Sequence, residues 1–216
     1  MGTFYALQLD GLTLEQVVDQ KTEKDLMSFR HRVFRESLGW LPVAPNGSDR
    51  DEYDVVSNNL AICQSKDVVG SLRFTPGTQD YMLEKDFSRL LSSRETIRKG
   101  GNSAEISRFA VDPTLSPQLR GSAAQLLYLG LWQWAEWNNL RWMYFVVVPS
   151  MYRRLVSLGL PVRPLGVPRP LDGGVMSMAG YFDWHAVNME AIHSLRLNVA
   201  LPDACPKRWR EYDYSH

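Results

Sequence analysis

The sequence predicts an α/β fold in a single domain: a mixed, mostly antiparallel sheet with helices on both faces. Two observations lead there. In the first half, short apolar runs of strand length follow one another at 3–9, 60–64, 68–74 and 104–111. In the second half, strand-like runs alternate with helical ones, the pattern of helices packed on sheet faces. The 216 residues are enough for one substantial core, and one domain is the simplest division.

Residues 3–9 are the first expected strand. Thr22 is placed to cap a helix in which Leu26, Phe29, Val33 and Phe34 form an apolar stripe. Arg30 precedes Phe34 by four residues, so the two share a side of that helix. Residues 41–58, with Pro42, Pro45, Gly47 and several acids, read as a long ligand-covering loop without secondary structure. Residues 60–64 and 68–74 read as a hairpin turned at Ser65-Lys66-Asp67. A short helix is expected at 87–91, then the strand 104–111. A long helix at 119–138 carries Leu126, Leu127, Trp134 and Trp137, and an apolar strand at 142–148 is of the kind buried on both faces. A helix at 150–158 follows, and 159–170, rich in Gly and Pro, is expected to break regular structure. A strand at 175–181, a helix at 183–196 and a loosely held polar tail complete the chain.

Lysines plus arginines equal aspartates plus glutamates, 24 each, so no global field points to nucleic acid. Cys63 and Cys205 are the only cysteines, too few for a disulfide framework or a C-x-x-C metal site, which favours a reducing cytoplasm. His31, His185 and His193 have no ligand spacing, so no metal is assigned. Residues 1–10 lack a basic stretch followed by an apolar one, so no secretory signal is expected. No run reaches the roughly 18 apolar residues of a membrane span. The expectation is a cytoplasmic protein with neither nucleic acid nor membrane as partner.

The informative charges are local. Glu105 and Arg108 stand three apart inside 104–111, where burying an unpaired ion costs several kcal/mol. Alternation puts Glu105, Ser107 and Phe109 on one face and Ile106 and Arg108 on the other. Both charges serve one pocket only if a bulge shifts the register. Otherwise Arg108 braces the acidic run Asp51-Glu52-Tyr53-Asp54 while Glu105 faces the chemistry, and the brace is the preferred reading. A carboxylate desolvated among Phe and Ile has a raised pKa, suited to taking a proton near neutral pH. A structural salt bridge is the plainer alternative.

Arg30, Phe34, Trp40, Asp51 and Asp54 form a second set. Singly they read as core aromatics and surface ion pairs worth about 0–1 kcal/mol. Together, and with Arg32, Arg73 and Phe87 nearby in sequence, they suit a small zwitterion carrying a flat ring. Carboxylates and an aromatic face would hold its cationic centre, and an arginine fork its carboxylate. Gln118-Leu119-Arg120-Gly121-Ser122-Ala123 opens the long helix, where backbone N–H groups can bind phosphate; a plain first turn is the alternative. Trp132, Trp134, Trp137, Trp142, Phe145 and Met151 read first as core and second as walls of an apolar tunnel. Arg153 and Arg154 could face an acidic carrier protein, with a solvated helix face as the simpler reading.

These residues together resemble the acyl-homoserine lactone synthases, the autoinducer synthases of bacterial quorum sensing. Arg30, Phe34 and Trp40 match the family's Arg, Phe four later and Trp six beyond. Asp51 and Asp54 match its Asp-x-x-Asp, and Ser71, Arg73 and Phe74 its Ser-x-Arg-Phe. Phe87 resembles its Phe in the next short helix, and Glu105, Ser107, Arg108 and Phe109 match its Glu-x-Ser-Arg-Phe. The match spans 29–112; the second half agrees only in its order of elements.

The resemblance implies an acetyltransferase-like (GNAT-like) fold. Residues 1–112 would be the S-adenosylmethionine-binding and catalytic half, 113–200 the acyl-binding half and 201–216 a tail. It implies no cofactor and two substrates, S-adenosylmethionine and an acyl thioester carried by acyl carrier protein or coenzyme A. Arg30, Phe34, Trp40, Asp51, Asp54, Phe87 and Arg108 would hold S-adenosylmethionine, and Arg73 would brace the loop. Trp142, Phe145, Val147 and Met151 would form the acyl pocket. Gln118, Arg120 and Gly121 would hold the carrier's pyrophosphate or phosphopantetheine. Glu105, through a water, would deprotonate the α-amine that attacks the thioester; the ligand's carboxylate would then displace methylthioadenosine and close the lactone. Many relatives that prefer 3-oxo chains have a Thr where this chain has Phe145, which favours an unsubstituted short, branched or aryl group. Two readings compete: an N-acyltransferase acting on another amine without lactonisation, and a non-catalytic sensor of an acyl ligand.

Overall fold

The computed structural model describes residues 4–171, 173–202 and 205. The chain opens with a hairpin, β1 (Leu7–Leu9) and β2 (Leu12–Gln16), turned by Asp10 and Gly11. Both turn residues have positive φ, 50° and 76°, which is why an Asp-Gly pair sits between the alternating leucines. The strand expected at 3–9 is therefore shorter and has a partner directly after it. Helix α1 (Gln20–Arg30) is capped by Asp19, not Thr22: the Asp19 side chain accepts from the Thr22 backbone N–H at 2.9 Å. The chain continues as a wider π turn over His31–Ser37.

The 41–58 stretch is not wholly irregular, since a 3₁₀ turn at Glu52–Val55 is capped by Asp51. Strands β3 (Asn58–Gln64) and β4 (Asp67–Pro76) form the expected hairpin. Helix α2 (Met82–Lys85), which has no clear sequence signal, precedes a 3₁₀ turn at Ser88–Leu90 in place of the short helix. Strand β5 (Ser103–Val111), helix α3 (Pro117–Trp137), strand β6 (Trp142–Val147) and helix α4 (Pro149–Ser157) follow as expected. Within 159–170 two short strands form, β7 (Val162–Pro164) and β8 (Arg169–Pro170), because both find ladder partners on β9 (Met176–Asp183). The last expected helix is split into a 3₁₀ turn at Trp184–Ala186 and α5 (Met189–Arg196), capped by Asn188. Apart from Cys205, the tail from 203 onward lies outside the described residues.

The sheet runs β1-β2-β3-β4-β5-β6-β9-β7, with β8 added to β9. Every pairing is antiparallel except β5 with β6. Helix α3 covers one face, burying Leu126, Leu127 and Trp134 against Leu14, Leu60, Leu72 and Phe74. Helix α1 covers the other with Leu26 and Phe29, joined by Val33 of the π turn, against Ala61, Val68 and Ala110. On that same face Leu83 of α2 joins Tyr81, Tyr144 and Ala179.

Two irregularities of β5 position the site. Its parallel pairing with β6 ends at Ile106 with Phe145; beyond it β5 stays with β4 while β6 stays with β9, so the two part. Just past that point Ser107 pairs with Arg73 but Ala110 with Ser71, so β5 carries one extra residue. Arg108 sits in this bulge at φ 55°. The Phe74 ring lies under this region, fully buried and stacked on Trp134 at 4.7 Å. Phe74→Ala is expected to cost about 3–5 kcal/mol, measured as a lowered denaturation midpoint with unchanged slope.

Candidate active site

Three carboxylates of one loop collect four guanidinium groups from four elements. Arg30 of α1 donates from Nε to Asp49 Oδ2 at 3.1 Å, and in a fork to both oxygens of Asp54 at 2.7 and 3.1 Å. Arg35 of the π turn donates to Asp49 Oδ1 at 2.8 Å. Arg73 of β4 reaches Asp51 Oδ1 at 2.5 Å and Asp54 Oδ1 at 3.1 Å. Arg108 of β5 closes the set, with Asp49 Oδ2 at 2.6 Å and Asp51 Oδ2 at 2.9 Å. Arg30, Arg73 and Asp49 are fully buried, and such burial is tolerable because these ions are multiply paired. Desolvation alone would raise the carboxyl pKa values. The arginines outweigh it, chiefly Arg108 at Asp49 and Arg30 at Asp54, and hold both below the usual carboxylate range.

The bulge decides where Arg108 points. In a regular strand it would face α3 with Ile106. Instead Phe109 packs on the α3 side, stacked on Tyr128, while Ala110 packs against α1. Arg108 is thereby returned to the face of Glu105, its guanidinium 5.5 Å from the centre of the Phe34 ring. The preferred sequence reading, a brace on the opposite face from Glu105, is corrected in part: Arg108 braces the loop and shares the face of Glu105.

Glu105 is 2% exposed. Its Oε2 accepts from the Met82 backbone N–H at 2.8 Å and its Oε1 from that of Leu83 at 2.7 Å, at the start of α2. Burial pushes its pKa up to about 7, against the opposing pull of those two N–H groups and of Arg73. It therefore changes charge near neutrality.

A cavity of about 500 Å³ passes through the opening between β5 and β6. On the α1 side its wall includes Phe34, Trp40, Met82, Asp86, Phe87, Glu105 and Arg108. Trp40 is 44% exposed at the mouth and tilted against Phe34 at 6.1 Å. Asp86 accepts a hydrogen bond from the Tyr53 hydroxyl at 2.9 Å. On the α3 side the wall is apolar, with Phe109, Leu131, Phe145, Val147, Met151, Leu155 and Phe182. One chamber thus offers carboxylates, a guanidinium and aromatic faces, and the other offers only apolar side chains.

The structure brings Phe34, Trp40, Phe87, Glu105, Arg108, Phe145, Val147 and Met151 together on this wall. Arg30, Asp51, Asp54 and Arg73 lie behind it, their charges spent on one another, so they tie the loop down and do not line the cavity. Trp142 is off the wall too. It occupies the opposite face of β6 from Phe145, against Tyr181 at 5.6 Å and beneath the guanidinium groups of Arg141 and Arg98. Gln118, Arg120 and Gly121 form the exposed first turn of α3, outside the wall, where Arg120 donates to the carbonyls of Pro113 and Leu115. Arg153 and Arg154 are exposed on α4, and Arg32 pairs at the surface with Asp112 at 3.7 Å. Asp49, Arg35 and Asp86 belong to the site without having been singled out by sequence. The one available signal was Asp49 standing two residues before Asp51 in a loop already marked as acidic. Among the described residues, no three His, Cys, Asp or Glu side chains cluster to hold a metal.

The sequence model of a family described as autoinducer synthase matches residues 14–192. The acyl-homoserine-lactone synthase of Vibrio anguillarum is 30% identical over 155 residues, 70% of this chain and 80% of that protein. The structure of the AHL synthase LasI superposes with a TM-score of 0.73 at 22% identity, covering 89% of this chain and 96% of that one. The CoA-dependent acyl-homoserine lactone synthase BjaI, solved with SAM and isopentyl-CoA, gives 0.71 at 22% identity, covering 82% and 81%. These two likenesses establish the acetyltransferase-like fold.

The charge network yields a stability prediction. Asp49→Asn leaves three guanidinium groups short of a partner, and is expected to cost about 3–5 kcal/mol. Because Asp49 and Asp54 titrate below their ordinary value of 3.8, their contribution is complete above about pH 4 and is lost as the pH falls further. The gap between denaturant melts of the wild type and Asp49→Asn should therefore begin to narrow as the pH falls from 4 to 3.

Proposed function

The chain belongs to the autoinducer synthase family, and from that premise we propose how its two-chambered cavity works. The enzyme is an acyltransferase that makes an N-acyl-L-homoserine lactone, a quorum-sensing signal, from S-adenosylmethionine and an acyl donor. S-adenosylmethionine is a substrate, not a cofactor. The observation that carries the mechanism is one cavity joining Trp40 and Glu105 on one face of the sheet to Phe145 and Phe182 on the other.

S-adenosylmethionine occupies the α1-side chamber. Phe34, Trp40 and Phe87 offer their faces to the sulfonium and the adenine ring. Arg108 has five N–H donors; those not spent on Asp49 and Asp51 take the ligand's carboxylate. Arg30, Arg73, Asp51 and Asp54 act at one remove by fixing the loop and Arg108. Asp86 and Glu105 face the ammonium group. Glu105, through a water, takes its proton, a task matched by a pKa of about 7. The freed amine attacks the thioester carbonyl, the C–N bond forms, and the thiolate leaves and is protonated.

Beyond the last β5–β6 pair, the β6 backbone at Val146 and Val147 borders the opening. N–H donors there would stabilise the oxyanion, each worth about 10²–10³ in rate. The carboxylate then displaces methylthioadenosine at the γ-carbon, a step that needs positioning more than proton transfer.

The acyl chain occupies the α3-side chamber, with Phe145 opposing a 3-oxo group because the wall there offers it no hydrogen bond. The carrier is acyl carrier protein or coenzyme A, held at Gln118, Arg120 and Gly121, with Arg153 and Arg154 available to an acidic carrier. On this reading residues up to about 112 serve S-adenosylmethionine and 113–200 the acyl group. The site of action is the cytoplasm, where both substrates are made. No helix among the described residues is long and apolar enough to cross a membrane.

Mass spectrometry of lactone and methylthioadenosine from the purified protein tests the reaction; acylation without methylthioadenosine would replace it with simple N-acyl transfer. Glu105→Gln is expected to lower kcat at least about tenfold with the fold retained, and near-normal turnover would remove Glu105 from the mechanism. The kcat/KM of the wild type should rise with pH through a midpoint near 7, as Glu105 ionises, and Glu105→Gln should lose that limb. The stability effect has the opposite sign. A raised carboxyl pKa means the fold weakens as pH rises from about 4.5 through 7, so melts of Glu105→Gln should show less of that decline.

A further inference from the structure

We propose that Gly180 is a specificity-determining residue. By leaving room for the Phe145 ring against the sheet, it sets the depth of the acyl chamber, which takes a compact acyl group, short, branched or aromatic, and rejects long linear and 3-oxo chains. The inference rests on the function proposed above and deepens it.

Gly180 of β9 lies directly across from Phe145 of β6, on the same face. A methyl group at position 180 would stand 2.8 Å from two atoms of the Phe145 ring and 3.0 Å from the Arg163 carbonyl oxygen. The ring contacts are too short for non-bonded atoms, whose optimum is about 3.5–4.0 Å, and the contact with the oxygen is tight. The Arg163 oxygen is backbone of β7, fixed by its ladder with β9, so the ring would have to give. Glycine therefore supplies the gap in which the ring lies flat, and any side chain there would tip it into the chamber.

Leu131, Leu155 and Phe182, which line the chamber, are at most 2% exposed. Phe182 is backed by Trp184 in a parallel stack at 4.9 Å, and Trp184 in turn donates to Met143 Sδ at 2.9 Å, so the floor cannot easily yield. One drug-sized ligand by itself takes a cavity of about 300–1,000 Å³. This cavity of about 500 Å³ serves S-adenosylmethionine as well, which leaves little for the acyl group. The side chains of this chamber are apolar, so a 3-oxo group would be desolvated without a side-chain partner.

The test is kcat/KM of the full chain at saturating S-adenosylmethionine for isovaleryl, benzoyl, octanoyl, dodecanoyl and 3-oxohexanoyl groups, each on coenzyme A and on acyl carrier protein. The wild type should favour isovaleryl or benzoyl over dodecanoyl and 3-oxohexanoyl by at least about tenfold. Gly180→Ala should lower the value for the favoured donor about tenfold while changing the KM of S-adenosylmethionine far less. Phe145→Leu, a milder change than Phe145→Ala in the core, should shift preference toward octanoyl. Efficient lactone formation from dodecanoyl or 3-oxohexanoyl donors, or an unaltered profile in Gly180→Ala, overturns the inference and leaves the reaction standing. Neither lactone nor methylthioadenosine from any donor overturns the reaction. The chamber is then judged by tryptophan fluorescence titration with the same thioesters, where equal affinities of wild type and Gly180→Ala would overturn it as well.

Discussion

Arg108 holds a left-handed backbone conformation, φ 55°, that a bulky residue adopts at a cost of about 1–3 kcal/mol. The extra residue in β5 rotates its side chain off the α3 face, where it would meet only core hydrocarbon. On the other face it meets Asp49 and Asp51. The loop that carries those acids runs on from the one bearing Trp40, so the bulge links the sheet to the mouth of the cavity. A strand one residue shorter would keep every hydrophobic contact of β5 as far as Ser107 and lose this link. Bulges that re-aim a side chain beside a site are a recurring use of the irregularity.

The ion network and the catalytic carboxylate are physically continuous. Arg73 contacts Asp51 and Asp54 at one edge, and Ser107 Oγ and Met82 Sδ at the other, while the Met82 N–H donates to Glu105. Glu105 thus lies close to positive charge and to a helix N-terminus, both of which favour its ionised form. Burial still dominates, and the balance leaves the group near neutrality. A more exposed Glu105 would stay ionised and be a weaker base; one buried without those donors would stay protonated. The same residues that secure the loop also set how readily this carboxylate gives and takes a proton.

The single parallel pairing explains the cavity. Strand β5 is held along its whole length by β4, and β6 along its whole length by β9. They share only the four residue pairs from Ser103–Trp142 to Ile106–Phe145. Past those the sheet opens, and side chains from both faces line one passage. An amine on one side and an acyl group on the other can then meet without either crossing a packed layer.

What the sequence determined by itself was the inventory and the local geometry. The alternating leucines, the 65–67 turn and the long apolar helix specify their elements because neighbours in the chain decide them. Glu105 could be named because a carboxylate is costly inside a strand, and Phe34, Trp40 and Phe145 because the chain resembles a known family. Trp142 was misjudged although strand alternation already separated it from Phe145. The tertiary structure alone decided the rest. The Gly- and Pro-rich 159–170 became strands because β9 supplied partners, Asp49 became the hub because three arginines converge on it, and Arg108 changed faces because β5 carries one extra residue in its pairing with β4. These outcomes depend on pairings between residues tens of positions apart, whose energies no local window of sequence contains.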